Sequence, residues 1–180
     1  MKTKLYSRAV KSPALQSEVD IQSVLVPIDF STSSLAALSK AVSIAKRFNA
    51  KLTLLHVVEP IATPDFESSF PLVMNTAEII SAAELHLMRI VREQRIDLSL
   101  VERQLVRPGS PFREITETAR ELKSDLIVIP THGYTGLRHV LLGSVAERVV
   151  RHAPCPVLVL RSFDDAPAPV KSNPFKKARK

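Results

Sequence analysis

Glycine and cysteine are scarce in this chain, and their positions are informative. Only four glycines occur among 180 residues, and three of them, Gly133, Gly136 and Gly143, fall within eleven positions. Because glycine allows backbone conformations and close approaches that other residues do not, this clustering indicates a local need for bare backbone. Cys155 is the only cysteine, which excludes an intramolecular disulfide and a metal site built from several cysteines.

Long hydrophobic runs are absent as well. No apolar stretch approaches the roughly 20 residues that a membrane-spanning helix needs. The first residues lack the apolar core of a secretory signal. We therefore expect a cytoplasmic protein, which also suits a chain with a single cysteine.

Charged residues are unevenly placed along the chain. The formal net charge is +7, but residues 1–20 hold four Lys or Arg against two Asp or Glu, and residues 162–180 hold five against two. Residues 21–161 hold sixteen against fourteen. We predict a flexible extension over 1–20, one domain over 21–161 and a disordered basic tail over 162–180. A nearly neutral domain argues against nucleic acid as the main partner and leaves only the tails as a route to it.

Apolar runs alternate with helical periodicity along the predicted domain. Runs typical of strands cover residues 24–29, 52–58, 98–106, 126–129 and 157–160. Apolar residues at helical spacing lie between them, at 35–48, 79–91, 112–122 and 145–150. This alternation predicts an α/β fold with a parallel sheet covered by helices on both faces. The third strand is the least apolar, so we expect it at an edge of the sheet.

Two segments that follow predicted strands carry the chemistry of a binding site. Residues 27–29 end the first strand on an acid, Asp29, and the glycine segment follows the fourth strand. Ligands of parallel α/β sheets bind at the carboxyl ends of strands, where the strand order reverses. If the first and fourth strands are neighbours, both segments face one crevice.

The glycine segment has the properties of a phosphate-binding loop. Gly143 and Ser144 precede the fourth helix, where free backbone N–H groups and the helix dipole favour an anion. Gly133 lets the main chain approach a ligand closely, and Arg138 and His139 add charge. The segment is neither a Walker A loop nor a G-x-G-x-x-G motif. The alternative is that these glycines only shape turns and that Ser144 only caps the helix.

The glycine segment resembles that of the universal stress protein family. Nucleotide-binding members carry G-x-x-G, nine further residues and then G-[ST]. Gly133, residues 134–142 and the pair Gly143-Ser144 match this pattern, whereas Pro130 stands in place of the first glycine. Further stretches that resemble the family follow in the right order, at 24–31, 54–57, 109–111 and 153–159.

This resemblance implies a fold, a ligand and an assembly. It implies a five-stranded sheet in the order 3-2-1-4-5, like that of the adenine-nucleotide α-hydrolases, and homodimers joined through the last strand at 157–160. It also implies a stress-response regulator that binds ATP, with Mg²⁺ accompanying the nucleotide, and that hydrolyses ATP slowly at most. Such a regulator acts through its dimer or through unidentified protein partners. The implied contacts are Pro27, Ile28 and Asp29 along the adenosine, with Asp29 at the ribose, Val57 at the adenine, and Gly133, Gly143, Ser144 and Val145 at the phosphates.

Pro130 defines the main alternative to nucleotide binding. Proline has no N–H and a φ fixed at about −65°, so a donor lost here favours a scaffold or chaperone-like dimer of the same fold that binds no nucleotide.

The remaining candidate residues have structural roles in our interpretation. We expect His56 to be a partly buried, hydrogen-bonded histidine, His132 to brace a turn and Cys155 to be buried. Zinc-site spacing is absent, and so are the G-x-S-x-G motif of serine hydrolases and the S-G-G-x-D-S or H-I-G-H-like motifs of adenylyl-transferring enzymes. We therefore expect no catalytic residues and no structural metal.

Overall fold

The computed structural model describes residues 20–59, 76–131 and 142–161. Within these residues the strands are β1 (Ser23–Pro27), β2 (Lys51–Val58), β3 (Val101–Pro108), β4 (Leu126–Pro130) and β5 (Val157–Leu160). The helices are α1 (Thr32–Phe48), α2 (Thr76–Glu93), α3 (Pro111–Glu121) and α4 (Ser144–His152). The predicted extension, apart from Asp20, and the predicted basic tail lie outside the described residues.

All five strands belong to one parallel sheet. Its order is β3-β2-β1-β4-β5, which confirms the predicted fold class. The chain builds outward from β1 in one direction and then returns to add β4 on the other side of β1. The strand order therefore reverses between β1 and β4, which is where ligands bind in open α/β sheets.

Side chains along the strands alternate between two apolar layers. Val24 and Val26 of β1 belong to the layer formed with α1 and α2, whereas Leu25 belongs to the layer formed with α3 and α4. The helices contribute buried side chains to both layers, among them Ala37, Leu38, Leu87, Ile115, Ala119, Ala146 and Val149. Helices thus cover both faces of the sheet, as predicted.

The hydrogen-bonded ladder between β1 and β4 is short. Its register runs only over Val24↔Leu126 and Leu25↔Ile127, whereas β1 pairs with β2 over five residues. The N–H of Ile28 donates to Leu55 O at 2.8 Å, so Ile28 directs its backbone toward β2, and the preceding Pro27 directs its own toward β4. On β4, Thr131 N–H donates to Leu160 O of β5 at 2.8 Å, so Pro130 faces β1.

Two prolines therefore meet where the β1–β4 ladder ends. The next hydrogen bonds of the ladder would use the N–H groups of residues 27 and 130, and proline has none. Both prolines line a pocket that opens beyond the last pair of the ladder, at the carboxyl ends of the two strands. Pro130 is accommodated in a central strand because its nitrogen faces this opening.

The predicted start of the third strand is wrong. Residues Leu98–Leu100 form a 3₁₀ turn, and β3 begins at Val101. Asp97 caps this turn, since its carboxylate accepts from Ser99 N–H at 2.9 Å, and this bond holds the pKa of Asp97 below its ordinary value. The predicted position at a sheet edge is confirmed by the strand order.

The expectation for Cys155 needs correction. Cys155 is half-buried rather than buried, and this partial burial, followed by the charge of Asp125, raises the pKa of its thiol. Ser110 occupies the N-cap position of α3, with Pro111 in the first turn, but the Ser110 hydroxyl makes no capping hydrogen bond. Within the three described ranges, no helix combines the length and apolar character needed to cross a membrane.

Gly109 forms the turn between β3 and α3. Its φ is 150°, and its N–H donates to Val58 O at 2.9 Å. A Cβ at this position would lie 2.6 Å from Glu114 Oε1. The backbone conformation therefore requires glycine here, and an added Cβ would in addition displace the Glu114 side chain.

We predict that Gly109→Ala lowers the free energy of unfolding by about 1–3 kcal/mol, because it combines a strained φ with a steric overlap. Urea denaturation followed by circular dichroism measures the change. In a Glu114→Ala background the overlap is removed while the strained φ remains, so the same substitution should cost less there. Equal stability of Gly109→Ala and the unmodified chain would contradict this account of the turn.

Candidate functional site

A pocket opens at the carboxyl ends of β1, β2 and β4, at the strand-order reversal. Its volume is about 220 Å³. Seven of the predicted site residues line it: Pro27, Ile28, Asp29, Val57, Gly143, Ser144 and Val145. The eighth, Gly133, lies outside the described residues, as do Gly136, His132, Arg138 and His139. The structure thus brings the predicted residues that it describes to one place, and their binding roles stay predictions.

Other residues that line the pocket were not predicted from the sequence to be ligand contacts. They are Ser34, Leu55, Glu59, Pro111, Ile115, Ile129, Thr131 and Ala146, together with Pro130. Glu59 follows β2 as Asp29 follows β1, so the rule that ligands bind after strands was a signal that pointed to it. Pro111 and Ile115 carry no such signal, because only the packing of α3 against the sheet brings them to the pocket.

Asp29 is held by the turn between β1 and α1. Its Oδ1 accepts from Ser31 N–H at 3.0 Å and from Ser31 Oγ at 2.5 Å. Ser31 is also the N-cap of α1, where its Oγ accepts from Ser34 N–H at 3.1 Å. The helix start and the carboxylate that lines the pocket are therefore fixed by the same serine.

Val57 presents backbone groups on the β1 side of β2. Leu55 already bonds across to Ile28, and Val57, two residues later, directs its N–H and C=O to the same side. No backbone hydrogen bond continues the ladder from Ile28 O to Val57, and Ile28 O instead lies 2.7 Å from Nδ1 of His56. A donor and an acceptor of the main chain thus face the pocket. His56 is half-buried and hydrogen-bonded, as predicted.

The first turn of α4 forms another wall of the pocket. Gly143 is its N-cap, with φ −68° and ψ 156°, and brings no capping side chain. The Gly143 N–H itself donates to Thr131 O at 2.8 Å. The N–H groups of Ser144, Val145 and Ala146 have no acceptor within the helix, because helical hydrogen bonding begins with Glu147 N–H to Gly143 O at 2.9 Å.

The pocket is polarised. Among the described residues that line it, the charged side chains are Asp29 and Glu59, both acidic. The first turn of α4 supplies the positive end of a helix dipole on another wall. A ligand with hydroxyl or amine donors at one end and an anion at the other matches this arrangement.

Helices α3 and α4 are tied together beside the pocket. The guanidinium carbon of Arg148 lies 3.4 Å from the ring centroid of Phe112, a cation–π contact. Because Phe112 follows Pro111 and Arg148 lies one turn beyond Ser144, this contact fixes the two helix starts relative to each other.

Comparison with known proteins identifies the family. The family model described as the universal stress protein family matches residues 20–161. This chain belongs to the universal stress protein family. A universal stress protein of Methanocaldococcus jannaschii is 36% identical over 140 residues, which cover 77% of this chain and 81% of that protein.

Solved structures of universal stress proteins share the fold. UspA from Lactobacillus plantarum is 30% identical with a TM-score of 0.65, and the match covers 78% of this chain and 98% of that one. A universal stress protein solved in complex with cAMP is 28% identical with a TM-score of 0.56, over 79% of this chain and 98% of that one.

We predict that Ser31→Ala lowers the free energy of unfolding by about 1 kcal/mol, because it removes the N-cap of α1. Ser31→Thr retains a capping hydroxyl and should recover most of the loss. The matched control is Ser43→Ala in the same helix, where the hydroxyl only donates to Ser39 O and caps nothing. Equal urea midpoints for Ser31→Ala and Ser43→Ala would show that the cap contributes nothing measurable.

Proposed function

We propose that this universal stress protein is a cytoplasmic regulator that binds an adenine nucleotide, and ATP in particular, in the pocket between β1 and β4. The observation that carries this proposal is the convergence of Asp29, the Val57 backbone and the first turn of α4 on one pocket at the strand-order reversal. The relative in complex with cAMP supports it, since it shares 28% of its sequence and the fold with this chain.

The Val57 backbone is the proposed contact for the adenine. The edge of adenine presents a ring-nitrogen acceptor beside an exocyclic N–H donor. A main-chain N–H and C=O on one side of a strand match that pair, as in the β-ladder that would otherwise continue here. The apolar side chains that line the pocket, such as Ile28 and Ile115, suit the faces of the base.

Asp29 is the proposed contact for the ribose. A carboxylate accepts up to about four hydrogen bonds, and bonds to a charged acceptor are stronger than those between neutral groups. The turn through Ser31 fixes the carboxylate before a ligand arrives. Ribose hydroxyls are donors of the kind that a carboxylate accepts.

The first turn of α4 is the proposed contact for the phosphates. Its N–H groups at Ser144, Val145 and Ala146 point away from the helix, and its dipole favours an anion. Gly133 is predicted to add a close backbone approach, and Mg²⁺ would accompany the triphosphate. We propose at most slow hydrolysis, because the described lining residues include no Arg or Lys that could act as an arginine finger on the transferring group.

We further propose that the protein acts through a homodimer joined at β5 and through protein partners. In the sheet β5 pairs with β4 on one side, which leaves its outer side as an edge. Leu158 on this strand is a large apolar residue with 36% of its surface exposed. An edge strand with exposed apolar side chains is suited to pair with a second copy.

Ser144→Pro tests the phosphate contact. Ser144 is the first residue of α4, where proline is favoured and removes one free N–H. Helix α3 already starts this way, with Pro111 after a residue in extended conformation, and Gly143 is extended in the same manner. We predict an approximately tenfold weaker Kd for ATP, as expected for one lost hydrogen bond to a charged group.

The matched control is Ser144→Ala, which removes the hydroxyl and keeps the N–H. Isothermal calorimetry measures both variants, and thermal melts show whether each is folded. Unchanged ATP affinity in a folded Ser144→Pro variant would contradict the phosphate role of this turn. No saturable binding by the unmodified chain up to millimolar ATP would contradict nucleotide binding as a whole.

A scaffold or chaperone-like dimer without nucleotide is the second candidate, and Pro130 is the observation that favours it. Its ring lines the pocket and offers no N–H. The geometry of the strands weakens this argument, because an N–H at residue 130 would face the Pro27 carbonyl of β1 rather than α4. The missing donor thus belongs to the ladder and not to the phosphate contact.

We accordingly predict that the Kd of Pro130→Ala for ATP stays within about threefold of that of the unmodified chain, which is a difference of less than about 0.7 kcal/mol. The reason is that the added N–H would face β1 and not the ligand. Calorimetry on both proteins measures it. An ATP affinity that rises tenfold or more in Pro130→Ala would show that proline suppresses binding and would favour the second candidate.

A further inference from the structure

Three aromatic rings meet beside the pocket, and the proposed contacts do not involve them. We call Phe30, His56 and His86 the aromatic cluster. The ring centroid of Phe30 lies 4.3 Å from that of His56 and 4.1 Å from that of His86, and the Phe30 and His86 rings are nearly parallel at 14°. The cluster joins the turn after β1, the end of β2 and the middle of α2.

Phe30 has an unusual backbone conformation. Its φ is 64°, in the left-handed region that bulky residues seldom adopt. Such a conformation persists only where the surroundings impose it, and it is concentrated at functional sites. The Phe30 ring is surrounded by two imidazoles and by the apolar layer that α1 and α2 form with the sheet.

The left-handed turn at Phe30 determines where Asp29 points. Asp29 and Ser31 flank Phe30, and the bonds from Ser31 N–H and Oγ to the Asp29 carboxylate close the chain across it. If φ of Phe30 relaxed to a negative value, this closure would open and the carboxylate would leave its place at the pocket.

His56 anchors the same turn at a second point. A carbonyl oxygen only accepts, so Nδ1 of His56 carries the hydrogen in its 2.7 Å bond to Ile28 O. One imidazole thus holds the residue before Asp29 by a hydrogen bond and the residue after it by ring contact.

We propose that the aromatic cluster positions Asp29 and thereby sets the preference of the pocket for a ligand that carries ribose hydroxyls. The inference rests on the proposed nucleotide binding and concerns its selectivity. Phe30, His56 and His86 are positioning residues, because each acts on the ligand through Asp29.

His86 separates this role from core packing. It is exposed on α2, and the helix is anchored independently by the buried side chains of Ala83, Leu87 and Ile90. Removal of its ring therefore loosens Phe30 without opening the core. His86→Phe keeps a flat ring in the same place and serves as the conservative variant.

The test compares two ligands on the full chain: ATP and 2′,3′-dideoxy-ATP, which lacks the ribose hydroxyls. The unmodified protein is expected to bind ATP about tenfold more tightly, the value of a hydrogen bond to a charged acceptor. Phe30→Leu should reduce this ratio to about twofold or less and leave dideoxy-ATP binding unchanged. His86→Ala should reduce it to about threefold, as expected from the loss of one aromatic pair, and His86→Phe should restore it.

Each outcome decides the inference. An unchanged ratio in folded Phe30→Leu and His86→Ala, or a parallel loss of affinity for both ligands, would overturn it and leave nucleotide binding intact. Equal affinity of the unmodified chain for both ligands would overturn it too. If the unmodified chain binds neither ligand, the proposed function itself fails, and the inference fails with it.

Discussion

The early end of the β1–β4 ladder is the constraint on which the site depends. Its register stops at Leu25 and Ile127, and Pro27 and Pro130, which follow on the two strands, have no N–H. The pocket lies beyond this last pair, at the strand-order reversal, and α4 begins beside it.

The backbone groups around the opening divide into two sets. Several are satisfied within the protein: Ile28 N–H by Leu55, Thr131 N–H by Leu160 and Gly143 N–H by Thr131. The His56 side chain satisfies Ile28 O, and the ladder does not continue to Val57. The second set of backbone groups faces the pocket. It consists of the N–H and C=O of Val57 and the first N–H groups of α4, and the Asp29 carboxylate lies between the strand ends.

The sequence predicts the elements and the place of the site well, because both follow from local patterns. Apolar runs locate the strands, and an acid after β1 and a Gly-Ser pair before α4 point to the strand ends. The sequence-based prediction fails where the outcome depends on how a turn is capped or on which neighbouring strand a residue faces. Residues 98–100 are apolar enough for a strand, yet Asp97 caps a turn there instead. In the sequence, Pro130 stands where the motif has a glycine, which suggests a lost donor. The structure shows that backbone groups alternate in direction along β4, so that the Pro130 nitrogen faces β1.

The left-handed conformation of Phe30 was equally beyond prediction, since the rings that contact it come from the end of β2 and from the distant helix α2. This matters for the energetics of the pocket. A helix N-terminus contributes about 0.3–1 kcal/mol to an anion near solvent, up to about 2 kcal/mol when partly buried, which orients a phosphate more than it binds one. In the proposed nucleotide complex, most of the discrimination among ligands is therefore expected from the directional hydrogen bonds at Val57 and Asp29. A rigid placement of these two residues lowers the free-energy cost of binding the matching ligand.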